Sequence, residues 1–393
     1  MVAAYDRPAA SPAGTAPDDG RGVTVAVDAM GGDHGPAEVV PGALDHARAN
    51  PQDRVILVGD EATIRGLAGQ LPPNVSVVHA SEVVDMDEHE PALALREKKD
   101  SSILVATELV KRGQADAVVT AGHTGAGMAA AVLKLGRLPG VDRPALAVQL
   151  VAEGGTLVLL DIGANPDSSP ENLAQYARMG AIFSEHVLGV ASPRVALLSI
   201  GEEKGKGDLR IQQATELLDL TNLNFIGNIE GKDLTKHQAD VVVTDAVAGN
   251  VVIKFFEGLS TYIFDLFRTE FGRSLRGRIA YLLMRPGIAR IRQVFDYERV
   301  GGSPLLGVRG TVIITHGRAR RRMIGYGVAV AATMARTHVP ELIGEALRPT
   351  GRAAVNPAVP GGDPTGATGI GPDAPPAPPA ASSPASGELE PAS

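Results

Sequence analysis

The sequence predicts an α/β protein with a largely parallel sheet, and three observations carry the prediction. Short runs rich in Val, Ile and Leu alternate with longer amphipathic stretches from about residue 23 to residue 336. Most of the short runs are apolar throughout instead of alternating, as in strands covered by helices on both faces. Polar, glycine-rich segments follow several of them, at the strand-to-helix turns where such folds gather functional groups.

Taken in order, strands are expected at 23–27, 54–58, 75–78, 116–120, 145–150, 156–160, 194–199, 223–226, 240–244 and 311–314. Helices are expected at 36–48, 102–112, 125–135, 170–189, 208–219, 248–270, 274–295 and 318–336, several opening at a Ser, Asp or Thr cap. No internal repeat is visible. Residues 1–20 and 349–393 are dominated by Pro, Ala, Gly and Ser, bury too little apolar surface to offset chain entropy, and are expected to be disordered. The folded part is then 21–348.

Composition excludes several classes. With 393 residues and 44% hydrophobic content the chain can bury a large core. Cys 0 removes disulfides, thiolate nucleophiles and Cys-ligated metals, and fits a reducing compartment. A net charge of -8 argues against a nucleic-acid partner. The first twenty residues carry no apolar signal region, and no stretch reaches the length of a spanning helix. A protein in solution, or one attached to a membrane surface, is expected.

The strand-end segments read together. They are Asp28-Ala29-Met30-Gly31-Gly32-Asp33-His34, Ala121-Gly122-His123-Thr124-Gly125, Asp161-Ile162-Gly163-Ala164-Asn165, Gly201-Glu202-Glu203-Lys204-Gly205-Lys206-Gly207, and the run from Asp245 to Asn250. In a parallel sheet all would face one crevice. A glycine-rich loop entering a helix offers free N–H groups to an anion, and the helix dipole adds to the attraction. The segment Gly122 to Gly127 has this form without being a Walker A or dinucleotide fingerprint, and a tight turn with close packing would use the same glycines. Lys204 and Lys206 could close over a bound anion, and Lys98, Lys99 and Ser101 precede another helix, suited to phosphate or to an acidic carrier. Asn165, Asn228 and Asn250 could hold a polar ligand or form Asx turns. Asp28, Asp161 and Asp245 could orient a Lys or His, or cap the next helix.

There is no Gly-x-Ser-x-Gly elbow, no His-x4-Asp pair and no clustering among the 9 histidines, so neither a Ser-His-Asp hydrolase nor a metal site is predicted. What remains favours direct transfer: an anion held by N–H groups and lysines attacks an activated carbonyl, and the same cradle stabilises the oxyanion.

These motifs resemble one family, the acyl-acyl carrier protein:phosphate acyltransferases known as PlsX. The resemblance rests on the 27–34 block, Val58-Gly59-Asp60, Ala80-Ser81-Glu82-Val83, Lys98-Lys99-Asp100-Ser101-Ser102, Leu160 to Asn165, Asn224 to Gly231 and Gly301 to Gly307, in order across the core. It implies a three-layer α/β/α sandwich like the isocitrate and isopropylmalate dehydrogenases. It implies transfer of a fatty acyl group from acyl carrier protein to inorganic phosphate, without a cofactor, as the first step of bacterial phospholipid synthesis by the acyl-phosphate route. The product would pass to a membrane glycerol-3-phosphate acyltransferase. On this resemblance Lys206 is the main phosphate or oxyanion ligand, helped by Lys98, Lys99, His123, Asn165 and Asn250. Four departures stand out: His123 and Asp208 replace Asn, the 244–250 block lacks a Gly after its Asp, and Arg318 to Arg322 replaces a Ser-rich stretch.

Residues 268–299 interleave arginines, among them Arg276, Arg278, Arg285, Arg290 and Arg292, with Leu275, Ile279, Leu282, Leu283 and Met284, giving basic amphipathic helices broken near Pro286-Gly287. Such a segment can face an acidic carrier protein or an anionic bilayer, or be buried on the core or a second subunit. The resemblance implies a homodimer with these helices projecting. A cytoplasmic protein resting on the inner face of the cell membrane is therefore expected. Two rivals differ in class: a dehydrogenase or short-chain phosphate acetyltransferase needing a nucleotide or coenzyme A, and a non-catalytic scaffold indifferent to loss of Lys206.

Overall fold

β1 (Thr24–Asp28) lies between β2 (Arg54–Gly59) and β4 (Ala117–Thr120) and runs parallel to both in the computed structural model, which describes residues 21–294 and 301–348. Val25 and Val27 enter one buried cluster and Ala26 the other, because successive side chains of a strand leave opposite faces of the sheet. Val119 and Val118, and Leu160 and Leu159, divide in the same way. Two covered faces are what make a continuously apolar strand necessary. The expectations for 1–20 and 349–393 lie outside the described residues.

The remaining strands are β3 (Val75–His79), β5 (Ala145–Ala152), β6 (Gly155–Leu160), β7 (Val195–Leu198), β8 (Phe225–Ile229), β9 (Val241–Val243), β10 (Ser303–Leu306) and β11 (Thr311–Ile314). Together they form an 11-stranded sheet in the order β3-β2-β1-β4-β11-β10-β5-β6-β9-β7-β8. All expected strands are present, and β10 is additional. It is antiparallel to both neighbours, β11 and β5, and β5 in turn is antiparallel to β6 through a hairpin closed at Ala152 and Gly155. The block β6-β9-β7-β8 therefore runs opposite to the block β3-β2-β1-β4-β11, each parallel within itself.

Register decides where the two blocks meet. Ser303 pairs with Ile314, Leu305 with Leu146, and Ala147 with Leu160. The end of β11 and the end of β6 thus stand at nearly one level of the sheet while pointing in opposite directions. Loops from both blocks converge there.

On one face pack α1 (Pro36–Ala49), α2 (Glu61–Ala68), α6 (Pro170–Leu188), α7 (Leu209–Asp219), α10 (Arg321–Arg336) and α11 (Val339–Ala346), which supply Val40, Ile64, Phe183, Ile211, Ile324 and Ile343 to the larger core. On the other pack α3 (Pro91–Glu97), α4 (Ser102–Lys111) and α5 (Thr124–Lys134), with Leu95, Leu104 and Ala130 in the second core. This is the expected α/β/α sandwich. Helix starts follow the chemistry of free N–H groups: Ser169 forms a capping box with Asn172, and Asp60, Asp208 and Asp245 cap α2, α7 and the next helix, α8 (Ala246–Gly272).

α8 continues well past the sheet and pairs with α9 (Leu275–Val294), where the Phe271 and Tyr281 rings lie 5.8 Å apart. The expected break near Pro286-Gly287 does not occur, since α9 runs through Pro286. The proline removes one backbone hydrogen bond, and on so exposed a helix water can meet the freed carbonyl. No described helix is long and apolar enough to cross a membrane.

Candidate active site

Loops from both sheet blocks enclose a cavity of about 750 Å³. Its lining comes from the loop after β1 (Asp33), the start of α5 (His123, Thr124), β5 (Val148, Leu150), the loop after β6 (Ile162, Gly163), α8 (Asn250, Lys254, Glu257) and the end of β11 (His316, Gly317).

Two glycine contacts allow this convergence. A Cβ on Gly31 would stand 2.6 Å from the backbone N of Gly122, so the turns after β1 and β4 touch backbone to backbone. Beneath them Asp28 is buried, accepting from the Thr120 hydroxyl at 2.7 Å and from the Met30 N–H at 3.3 Å. Burial pushes its carboxyl above the usual range, against the pull of its hydrogen bonds from Ser102, Thr120, Met30 and Gly31. On the other block, Gly249 lies against the Asp161 carbonyl, with no room for a side chain between α8 and the loop after β6.

Of the residues expected from sequence, Asp33, His123, Thr124 and Asn250 line the cavity. His123 caps α5, its Nδ1 accepting from the Ala126 N–H at 3.3 Å. Gly32, at φ 100°, and Gly125, whose Cβ position abuts the His123 ring, shape the same loops. His34 is exposed beside them.

Others serve the scaffold. Asp161 accepts from the N–H groups of Leu146, Gly163, Ala164 and Asn165, and burial outweighs these bonds to hold its pKa up. The Asn165 amide donates to the Pro144 carbonyl at 2.5 Å and to Asp161 at 3.0 Å, which ties β5 to β6. Asp245 caps α8 and pairs with Arg210 at 3.0 Å. Asn228 lies within β8 and is buried, not after the strand as expected.

The expected lysines lie outside the cavity wall. Lys98 donates to the Val83 carbonyl and to Asp85, both at 2.8 Å, and the Asp85 bond raises its pKa; it braces the loop that carries the cavity residue Met86. Lys99 is exposed, and Ser101 is buried at the start of α4. Lys204 pairs with Asp219 at 2.8 Å, and Glu202 faces Lys232 at 3.6 Å. Lys206 belongs to the same loop, after β7, which is two strands out from β6. Arg276, Arg278, Arg285 and Arg290 are exposed on α9, while the side chain of Arg292 lies outside the described residues.

Sequence reasoning missed a cluster on the wall. Lys254 donates to Glu257 Oε2 at 3.0 Å and lies 3.3 Å from His316 Nε2. Burial works to raise the Glu257 pKa, but the neighbouring His316 and the hydrogen bond from Lys254 prevail and hold it below the ordinary value. The Lys254/Glu257 spacing is that of any helical surface ion pair, and only the fold brings His316 to it.

This α/β/α fold is similar to that of phosphotransacylases of known structure. The EutD phosphotransacetylase from Staphylococcus aureus aligns over 81% of this chain and 96% of its own, at a TM-score of 0.51 and 17% identity. A phosphotransacetylase from Streptococcus pyogenes aligns over 81% and 94%, at 0.52 and 18%. The family model described as fatty acid synthesis protein matches residues 23–342. The phosphate acyltransferase of Desulfitobacterium hafniense (strain Y51) is 48% identical over 310 residues, 78% of this chain and 92% of the relative. That of Myxococcus xanthus (strain DK1622) is 47% identical over 334 residues, 84% and 94%. The chain belongs to this phosphate acyltransferase family, the PlsX family, and is an acyltransferase.

Proposed function

We propose that the protein transfers a fatty acyl group from acyl carrier protein to inorganic phosphate, releasing acyl phosphate. The observation that carries this reading is the cavity itself. Val148, Leu150, Val151, Ile253 and Phe256 give it an apolar wall suited to an acyl chain, and His123, Thr124, Asn250 and Lys254 give it a polar end suited to phosphate. A phosphate oxygen adds to the thioester carbonyl carbon; the C–O bond forms, the C–S bond breaks, and the carrier leaves as a thiolate that takes up a proton. The chain's own contribution is to hold the two reactants together and meet the charge on the oxyanion. Lys206, with Lys98, Lys99, His123, Asn165 and Asn250, is assigned to that charge by family resemblance. Loss of turnover in Lys206→Ala tests the assignment.

The acyl phosphate would be consumed by a membrane glycerol-3-phosphate acyltransferase, and the α8–α9 hairpin would bring the protein to that membrane. Exposed Leu275, Ile279, Leu282, Leu283 and Met284 beside exposed Arg276, Arg278 and Arg285 support a surface for an anionic bilayer or an acidic carrier. Along α8 the exposed side chains Val247, Val251, Phe255, Leu259, Tyr262 and Leu266 recur every three or four residues, a single apolar stripe that supports a homodimer. The decisive experiment mixes purified protein with palmitoyl-carrier protein and labelled phosphate. Label in a hydroxylamine-sensitive acyl phosphate is expected; release of free fatty acid with no labelled acyl phosphate would refute the reading.

A further inference from the structure

We propose that Lys254 is a phosphate ligand of the cavity, a contact that no part of the sequence pattern assigned; this rests on the acyl-transfer reading above. Among the described residues that line the cavity, Lys254 is the one lysine or arginine. Of the cations expected to do this work, Lys98 is engaged with Val83 and Asp85 and Lys204 with Asp219, and neither Lys99 nor Lys206 lines the cavity.

Position favours Lys254 as well. It stands four residues after Asn250 on α8, so its ammonium and the Asn250 amide share one face of the helix, and both line the cavity. Glu257, one turn further on, holds the ammonium from below at 3.0 Å. His316 reaches it from the opposite sheet block, through the loop after β11.

The ring of His316 fixes what the cluster offers. Its Nδ1 accepts from the Arg318 N–H at 3.2 Å, which in the neutral ring places the proton on Nε2. Nε2 lies 3.8 Å from Glu257 Oε2 and 3.3 Å from Lys254 Nζ. Two donors therefore face each other beside a single carboxylate oxygen. An ammonium has three N–H groups, so an incoming phosphate oxygen can accept from Lys254 while Glu257 holds it. The carboxylate keeps the lysine in place without taking all of its donors. Arg is the conservative alternative, since it keeps the charge at a changed geometry.

The test uses the full chain and its Lys254→Met, Lys254→Gln and Lys254→Arg variants, with two readouts. In steady-state transfer, Lys254→Met and Lys254→Gln should raise the phosphate KM by a factor of roughly 10 to 100, the range for one hydrogen bond to a charged partner. The KM for the acyl donor should stay within about twofold, because the lost group contacts phosphate alone. Lys254→Arg should recover part of the phosphate affinity. Without any acyl donor, inorganic phosphate should raise the Tm of the wild type and fail to raise that of Lys254→Met. This second readout needs no turnover, so it separates the two readings: a wild type that makes no acyl phosphate sinks the reaction, not the ligand. A folded Lys254→Met or Lys254→Gln variant whose Tm responds to phosphate as the wild type does, or a wild type that phosphate does not stabilise, overturns the proposal.

Discussion

Gly249 and Asp161 meet backbone to backbone, and a Cβ on the glycine would collide with the aspartate carbonyl oxygen. The contact sets the angle at which α8 leaves the sheet, and hence the placement of Asn250 and Lys254 on the cavity wall. Gly249→Ala should therefore push the helix away from the loop after β6. An overpacked contact of this kind costs about 1–3 kcal/mol. We expect a lower urea midpoint and a loss of acyl transfer larger than the stability change alone explains. Full activity in a folded Gly249→Ala protein would mean that this helix angle does not govern the site.

Asp28 gives a pH signature. Burial raises its folded pKa above the unfolded value, so the native state binds the proton more tightly than the unfolded chain does. Its contribution to stability is complete below the unfolded pKa and is lost as pH rises through the folded one. Asp28→Asn, neutral at every pH, should remove that loss. Urea midpoints of variant and wild type should diverge in the variant's favour as pH climbs from about 4, near the unfolded carboxylate value. A difference that stays constant from acid to neutral pH would show that folding does not shift the Asp28 pKa.

Asp53 has the opposite sign. Its carboxylate is fully buried, yet the desolvation that would raise its pKa is outweighed by hydrogen bonds from His46, at 3.1 Å, and from Arg336. It joins the loop before β2 to α1 and to the end of α10, and also accepts from the Val23 N–H at 3.3 Å. Removing one side of the pair leaves the other's buried charge less well offset, so Asp53→Asn and Arg336→Met should each destabilise at neutral pH, by up to about 3–5 kcal/mol. The double variant should lose less than the sum. Because a depressed pKa protects only while the group is ionised, the penalty of Asp53→Asn should fade as pH drops through the folded value. Additive losses in urea titrations would count against a shared buried network.

How far these features could be read in advance depended on their range along the chain. The long Val/Ile/Leu runs, such as 54–58 and 240–244, announced strands because both faces are covered, and the caps at Asp208 and Asp245 are local chemistry. β10 was missed because it has four residues, one of them Pro304, beside Gly302 and Gly307. The antiparallel β5–β6 hairpin, not β10, reverses half the sheet, so the loop holding Lys204 and Lys206 does not simply share an edge with Gly31 and Gly122. The Glu153-Gly154 turn joining β5 to β6 was a local sign of that reversal. Asp33, His123, Thr124 and Asn250 were legible because strand-end loops gather at one site. His316 was not, since its neighbour Lys254 lies 62 residues away in the chain.

The outer part of the α8–α9 hairpin yields the last prediction. Leu282 and Leu283 are 64% and 78% exposed, next to the cations Arg278 and Arg285, on a helix whose main packing among the described elements is against α8. Exposing leucines at that level costs free energy in water, and burying each in a bilayer interface recovers roughly 1.5–3 kcal/mol. Arginines near an anionic surface add about 1 kcal/mol apiece, falling off with salt. L282E/L283E should therefore reduce flotation with anionic liposomes by about tenfold or more, since two apolar contacts become two like charges facing the lipid. Circular dichroism of the variant should match the wild type, because neither side chain packs in a core. Arg278→Glu should weaken binding less, and more at low ionic strength than at high. Wild-type protein that stays at the bottom of the gradient with anionic vesicles would rule out the membrane role and leave the hairpin to the carrier or to a second subunit.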